Sequence, residues 1–168
     1  MIRLWFCVLS TIWALGACAP PCADTMPGDG CPPKSHAVIP GKISEIRTEN
    51  FLILHQSGEL LLIDSRDPWF YRQGRIPGAI CLATGESMCD RIESLLPEFR
   101  KAKTKGHPIV VYCNGFGCHD ARTVCRAIAK SGFDVTKFGG GWKAWKKFDL
   151  PVESASQEDD DLPPQTAS

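Results

Sequence analysis

Residues 108–120 read PIVVYCNGFGCHD, and this stretch decides the fold. It opens with an unbroken apolar run that ends at Tyr112, which is typical of a strand covered on both faces of a sheet. Gly115 and Gly117 then let the chain turn tightly. From His119 onward the apolar residues follow helical spacing. A buried strand that leads through a tight loop into a helix predicts an α/β domain with a mostly parallel sheet.

The sequence on either side repeats this alternation of strands and helices. Apolar runs predict strands, and apolar residues spaced three or four apart predict amphipathic helices. The predicted strands cover residues 43–46, 60–63, 79–82, 108–112 and 135–138. The predicted helices cover residues 48–56, 68–73, 90–103 and 119–131. Together these elements predict one domain over residues 41–154.

The loop after Tyr112 begins with Cys113, the residue on which we expect the chemistry to centre. In a parallel sheet, ligands bind at the carboxyl ends of the strands, where loops lead into helix N-termini. Inward-pointing loop amides and the positive end of the following helix would stabilise a thiolate at Cys113. The predicted substrate loop also contains Asn114, Gly115, Phe116, Gly117, Cys118 and His119.

The ends of the chain predict export rather than chemistry. Residues 1–17 have the short basic start and the apolar stretch of a signal peptide, and they end in a sequence like a bacterial lipobox. We therefore expect a lipid on Cys18 and a periplasmic, membrane-anchored lipoprotein, at the outer membrane rather than the inner one. Soluble secretion and an uncleaved anchor remain alternatives. Residues 18–40 are predicted to be a Pro/Gly-rich tether, and residues 155–168 an acidic disordered tail.

Nine cysteines are present, of which seven would remain after cleavage and lipidation. In an oxidising compartment most cysteines pair, and an odd one indicates a free thiol. Cys22–Cys31 and Cys81–Cys89 are plausible short-range pairs, although the sequence leaves the connectivity open. Three roles are open for Cys113: a nucleophile, half of a structural disulfide with Cys118, or one partner in a thiol relay with Cys118.

Several segments lie in an order that identifies a family resemblance. Residues 62–68 read LIDSRDP and residues 74–79 read GRIPGA. Later in the chain come residues 109–113, Gly132-Phe133, Gly140-Gly141 with Trp145, and residues 150–152. This order resembles the rhodanese homology domain from about residue 41 to residue 153. The resemblance implies a five-stranded parallel sheet flanked by helices. It also implies that Asp64 and Arg66 give structural support to the loops.

The resemblance further implies a sulfurtransferase in which Cys113 takes sulfane sulfur, becomes a persulfide and passes the sulfur to a thiol or to cyanide. No cofactor is expected. Members of the family usually carry a cation and a serine after the cysteine, where this chain has Asp120 and Ala121. An acidic side chain there would disfavour an anionic donor such as thiosulfate. Arg75 replaces the family's usual histidine and is expected to be structural.

Other functional classes are weighed against this interpretation. Lysine plus arginine balance aspartate plus glutamate, 19 of each, so no basic field indicates nucleic acid. Scattered histidines and the lack of paired Cys-x-x-Cys spacing argue against a metal site. A phosphatase on this architecture would need an arginine six residues after Cys113, where His119 stands. A catalytically inactive scaffold that binds an envelope protein, and a thiol-redox protein using Cys113 and Cys118, remain alternatives.

Overall fold

The computed structural model describes residues 38–154. Strands and helices alternate along these residues. The strands are β1 (Ile43–Ile46), β2 (Leu61–Asp64), β3 (Ile80–Cys81), β4 (Ile109–Tyr112) and β5 (Val135–Phe138). The helices are α1 (Thr48–Ser57), α2 (Pro68–Gln73), α3 (Met88–Lys105), α4 (His119–Lys130) and α5 (Gly141–Lys147). The predicted α/β class is confirmed.

The five strands form one parallel sheet in the order β1-β5-β4-β2-β3. Strand β4 lies at the centre, and all four of its residues are buried. Ile109 and Val111 pack on the side of α3 and α4, whereas Val110 and Tyr112 pack on the side that holds Phe51 of α1. Because side chains alternate along a strand, an unbroken apolar run supplies both cores at once. This arrangement puts the end of β4 in the middle of the sheet edge.

Strands β1 and β5 and helix α2 have the bounds predicted from the sequence, and the other predicted elements differ from the observed ones by one or two residues at an end. Helix α5 is the element that the sequence analysis missed. It begins at Gly141, which has a positive φ of 57°, directly after Gly139 and Gly140. Consecutive glycines predict a loop, so the short helix behind them left no clear signal. Its Trp145 is buried.

The predicted signal peptide, most of the tether and the acidic tail lie outside the described residues, and so does Cys18. At the described end of the tether, a γ-carbon of Val38 lies 2.8 Å from the place that a Cβ on Gly132 would occupy. Within residues 38–154, no helix combines the length and the apolar character needed to cross a bilayer. The predicted domain boundaries stay predictions.

Candidate functional site

The loop between β4 and α4 lies at the carboxyl edge of the sheet, where the sequence predicted a site. Cys113 follows the central strand directly and is 4% exposed. The end of β2 flanks β4 on one side and the end of β5 flanks it on the other. Ser65, just after β2, is tied to the last residue of β4, because its hydroxyl donates to the carbonyl oxygen of Tyr112 at 2.7 Å. Cys113 is therefore held at a rigid, buried position.

Cys113 and Cys118 are joined by a disulfide, with Cα atoms 6.3 Å apart. This pairing is one of the alternatives that the sequence left open. Cys118 is half-buried and stands at the N-cap of α4, so the bond links the end of the central strand to the start of the helix. In this oxidised state neither sulfur is a thiolate. The assignment of Cys113 as the nucleophile stays a prediction about the reduced loop.

The other described cysteines correct one pairing hypothesis. Cys89 is disulfide-bonded, whereas Cys81 and Cys125 are free and buried, so the Cys81–Cys89 pair was wrong. Burial raises the pKa of Cys81 to about 11 and that of Cys125 to about 12. At neutral pH both are therefore protonated core residues rather than nucleophiles. Cys125 lies on α4 and packs in the hydrophobic core beneath it.

A carboxylate lies against both sulfurs of the disulfide. One oxygen of Asp120 is 3.7 Å from Sγ of Cys118 and 4.0 Å from Sγ of Cys113. Its other oxygen accepts a hydrogen bond from Oγ1 of Thr84 at 3.1 Å, which holds the carboxylate in place. Since disulfide sulfurs carry no proton, the two sulfur distances are contacts rather than hydrogen bonds. The sequence pointed to Asp120 as an unusual residue, but it gave no signal for Thr84, which comes from the loop after β3.

Helix α5 holds the first half of the loop by its backbone. The amide of Trp142 donates to the carbonyl oxygen of Cys113 at 2.8 Å, and the amide of Lys143 donates to that of Asn114 at 2.9 Å. This approach is possible because residue 141 is glycine: a Cβ there would lie 2.3 Å from the carbonyl oxygen of Cys113. Gly141 is thus a site residue that the sequence analysis missed, although its glycine-rich setting was visible.

The second half of the loop is more open to solvent. Gly117 adopts a positive φ of 77°, and the ring of Phe116 is 86% exposed. His119 is exposed as well, and its Nδ1 lies 3.3 Å from Oγ1 of Thr123 on the same helix. A guanidinium nitrogen of Arg122 lies 3.5 Å from the carbonyl oxygen of Gly117. The predicted loop therefore has a buried sulfur end and an exposed aromatic tip.

Asp64 and Arg66 form a buried ion pair beneath the site. The guanidinium donates from two nitrogens to the Asp64 carboxylate, and one of these nitrogens also donates to the carbonyl oxygen of Gly74 at 2.7 Å. The face of Trp142 covers the guanidinium, whose carbon lies 4.5 Å from the ring centroid. Both charged side chains are at most 4% exposed. The pair ties the end of β2 to the segment after α2 and to α5.

Tyr112 connects this ion pair to the reactive strand. Its hydroxyl donates to Asp64 at 2.6 Å and accepts a hydrogen bond from the amide of Ile76 at 3.1 Å. Burial and the neighbouring Asp64 carboxylate raise the pKa of Tyr112 far above its ordinary value, so the hydroxyl stays protonated and donates. Tyr112, the residue before Cys113, is thus held in place by hydrogen bonds to Asp64 and Ile76. The role of Asp64 and Arg66 as support for the loops stays a prediction.

Arg75 lies away from the sulfurs and holds the end of the domain. Its side chain pairs with Glu153, and the two backbones form an isolated antiparallel bridge. Tyr71 lies under the guanidinium at 4.5 Å. The hydrogen bond from the amide of Gly78, together with Arg75, lowers the pKa of Glu153. The contacts of Arg75 are those of a structural residue.

Among the described residues, one group offers three ligand atoms close enough to hold a metal ion: Cys113, Cys118 and Asp120. Two of those atoms are bonded to each other in the disulfide, so in this state they are not available as thiolate ligands. The expectation that the chain uses neither metal nor cofactor stays a prediction.

Comparison with known proteins agrees with this architecture. The family profile of the rhodanese-like domain matches residues 49–148. An HTH-type transcriptional regulator of Mycobacterium tuberculosis is 32% identical over 101 residues; the match covers 60% of this chain but only 41% of the regulator.

Solved structures show the same fold. A protein of Bacillus halodurans is 26% identical with a TM-score of 0.54, over 66% of this chain and 77% of that one. A protein of Rhodopseudomonas palustris, described as a possible tyrosine phosphatase, is 26% identical with a TM-score of 0.51, over 66% and 85%. A rhodanese-like domain protein of Staphylococcus aureus is 24% identical with a TM-score of 0.52, over 67% and 99%.

Proposed function

This chain belongs to the rhodanese-like domain family, and on that premise we propose that it is a sulfurtransferase that carries sulfane sulfur as a persulfide on Cys113. The observation that carries the proposal is the position of Cys113: it is buried, directly after the central strand, and α4 begins six residues beyond it. A helix N-terminus stabilises a negative charge beside it. A persulfide on Cys113 would bear such a charge.

The reaction begins after reduction of the Cys113–Cys118 disulfide. The Cys113 thiolate attacks the outer sulfur of a donor persulfide, the donor's sulfur–sulfur bond breaks, and the donor leaves as a thiolate. An acceptor thiolate or cyanide then attacks the outer sulfur of the Cys113 persulfide and regenerates the Cys113 thiolate. The braced end of β4 and the amides of α5 keep Cys113 fixed throughout, so little reorganisation accompanies the transfer.

The surroundings of Cys113 favour a persulfide donor over thiosulfate. Asp120 holds a carboxylate against both sulfurs, and the carboxylate would repel a dianion that approaches Cys113. The carboxylate would likewise repel the phosphate group of a phosphatase substrate, which needs an arginine to bind it. Arg122 is exposed, and its guanidinium lies near the carbonyl oxygen of Gly117 rather than over the sulfurs.

The test is single-turnover sulfur loading of the reduced chain. We expect glutathione persulfide to add one sulfur atom at Cys113 of the Cys118→Ser chain, in which no neighbouring thiol can displace the added sulfur. Intact mass and peptide mapping detect the sulfur, and cyanide should remove it as thiocyanate. Adding Cys113→Ser to that chain should abolish loading, whereas adding Cys125→Ser, which removes a buried core thiol, should leave loading unchanged. Failure of every donor to load Cys113 in the reduced protein would refute the proposal.

A second candidate function, thiol-disulfide exchange through Cys113 and Cys118, is favoured by the disulfide itself. In that function the pair would accept two electrons from a dithiol without any sulfur transfer. The two candidate functions differ in whether Cys113 ever carries an added sulfur atom. A reduced chain that becomes oxidised by disulfide donors but never carries added sulfur would be an oxidoreductase.

We also propose that the domain works in the cell envelope, anchored by a lipid on Cys18. Support comes from the lipobox-like sequence and from the disulfides at Cys89 and Cys113–Cys118, which are typical of oxidising compartments. Expression of the full chain in a Gram-negative host with labelled palmitate tests the proposal. Label on the native chain and none on Cys18→Ser is expected; equal label, or none on either, would contradict it.

A further inference from the structure

We propose that Cys118 is the built-in acceptor of this site: it resolves the Cys113 persulfide, releases hydrosulfide, and uses Asp120 as the proton carrier. The inference rests on the proposed persulfide at Cys113 and adds the identity of its first acceptor and of the product. Three groups meet at this point, namely Cys113 after β4, Cys118 at the start of α4 and Asp120 in the first turn of that helix.

The geometry makes Cys118 the nearest thiol to a persulfide on Cys113. The Cα atoms of the two cysteines lie 6.3 Å apart, inside the usual range for a disulfide. Cys113 is 4% exposed, whereas Cys118 is half-buried. An external acceptor must therefore reach a buried sulfur past the loop, whereas Cys118 is already beside it. Proximity of this kind is worth several orders of magnitude in rate.

The step balances without an added oxidant. Cys118 loses its thiol proton and its sulfur attacks Sγ of Cys113, the inner sulfur of the persulfide. The bond between the two persulfide sulfurs breaks, its electron pair stays on the outer sulfur, and that sulfur takes the proton and leaves as HS⁻. The remaining product is the Cys113–Cys118 disulfide. A dithiol reductant must then reopen it, so the full cycle converts the donor persulfide and a dithiol into the donor's thiol, hydrosulfide and the oxidised dithiol.

Asp120 is placed to move that proton. One carboxylate oxygen lies 3.7 Å from the Cys118 sulfur and 4.0 Å from the Cys113 sulfur, so a single group faces both the attacking and the receiving side. Thr84 fixes the carboxylate through its other oxygen, which leaves the sulfur-facing oxygen available. General acid–base help of this kind contributes roughly 10²–10⁴-fold to a rate.

Helices α4 and α5, which adjoin the loop, carry three other titratable or charged side chains near it. His119 and Arg122 stand on α4, where they contact Thr123 and the carbonyl oxygen of Gly117. Lys143 stands on α5, with its side chain near Gly115. Within residues 38–154, the carboxylate of Asp120 is the group in contact with both sulfurs that can accept a proton.

The experiment follows one turnover of the reduced full-length chain with a stoichiometric amount of glutathione persulfide, without added acceptor. Sulfide is measured in solution, and intact mass with peptide mapping locates added sulfur and disulfides. The native chain should release one hydrosulfide per chain and form the Cys113–Cys118 disulfide. Cys118→Ser should instead keep the added sulfur on Cys113. Loading also liberates glutathione, which can itself attack the Cys113 persulfide and release hydrosulfide slowly. The rate of hydrosulfide release from Cys118→Ser measures this background.

Asp120→Asn tests the proton carrier. Loading of Cys113 should be as fast as in the native chain or faster, but hydrosulfide release should slow by roughly 10²-fold at neutral pH. The deficit should shrink as the pH rises, because hydroxide then removes the thiol proton of Cys118 in place of the carboxylate. Asp90→Asn, an exposed acid in the first turn of α3, is the matched control and should change neither step.

The outcomes separate the two proposals. If the native chain keeps its added sulfur as firmly as Cys118→Ser does, Cys118 is not the acceptor, while the sulfurtransferase proposal stands. If neither chain loads sulfur, the proposed function itself fails. If Asp120→Asn releases hydrosulfide at the native rate, Asp120 carries no proton in this step. The same conclusion follows if its release rate is lower than the native rate by the same factor at every pH.

Discussion

Two neighbouring strands, β2 and β4, end at the same edge of the sheet, but the segments that continue from them differ. At the end of β2 lie Asp64, Ser65 and Arg66, all of them buried and hydrogen-bonded to surrounding backbone or side chains. After β4 comes a loop with one buried sulfur and an exposed tip at Phe116. Asp64, Ser65 and Arg66 form a polar brace at the end of β2, held by hydrogen bonds. The loop after β4 instead carries two sulfurs that can form and break covalent bonds. Adjacent strand ends on one sheet edge therefore have different roles: one stabilises the structure and the other carries the reactive groups.

The largest expected contrast is in thiol reactivity. After full reduction at pH 8, an ordinary thiol is roughly a quarter ionised, whereas a thiol with a pKa near 11 or 12 is ionised to about 0.1% or less. Cys118, which is half-buried in the loop, should therefore be alkylated by iodoacetamide over a hundredfold faster than Cys81 and Cys125 in the folded chain. Peptide mapping over time gives the rates. Urea should make the three rates equal. Equal rates in the folded chain as well would remove the contrast between loop and core.

Asp64→Ala should break the brace and cost about 3–5 kcal/mol of unfolding free energy. The change leaves the charge of Arg66 buried without its carboxylate and removes the acceptor of the Tyr112 hydroxyl. Urea unfolding measures the loss. Asp67→Ala is the control in the same segment: it removes an exposed N-cap to the amide of Trp69 and should cost only about 1 kcal/mol. Equal costs for the two variants would show that the ion pair adds no more than a cap.

Gly141→Ala should disturb the loop rather than the brace. The new Cβ would lie 2.3 Å from the carbonyl oxygen of Cys113, and the position has a positive φ, so we expect a loss of about 1–3 kcal/mol. Sulfur loading of Cys113 should slow as the loop shifts. In Gly115→Ala the new Cβ meets the flexible side chain of Lys143 at 3.4 Å, and the cost should stay below about 1 kcal/mol. A tolerated alanine at 141 would contradict the role of α5 in holding the loop.

The smallest expected effect is a pH dependence at the far end of the domain. Because the pKa of Glu153 is lowered in the folded chain, its contribution to stability is present above the ordinary value of 4.5 and is lost as the pH falls through the folded value. Urea midpoints from about pH 6 to about pH 3 should therefore fall less steeply in Glu153→Gln than in the native chain. Glu98→Gln, which removes an exposed pair with Lys101, should follow the native curve.

The sequence predicted the strands well because the parallel sheet is buried on both faces, and an apolar run such as residues 109–112 has few other interpretations. It predicted the position of Cys113 for the same reason. The approach of Thr84 to Asp120 depends on tertiary contacts between residues far apart in the chain, which local patterns do not record. Helix α5 was missed because Gly141 reads as a loop residue, although its missing side chain is what lets the helix reach Cys113.

The two halves of the loop are held in different ways, and reduction of the disulfide would act on them differently. The carbonyl groups of Cys113 and Asn114 accept hydrogen bonds from α5 that do not involve the sulfurs, whereas Cys118 is fixed by its place at the start of α4. Cutting the bond therefore leaves both sulfurs tethered a few residues apart on rigid elements. A thiol from solution would compete with a neighbour whose effective concentration is millimolar or higher. Reductants with two adjacent thiols would hold the advantage over those with one.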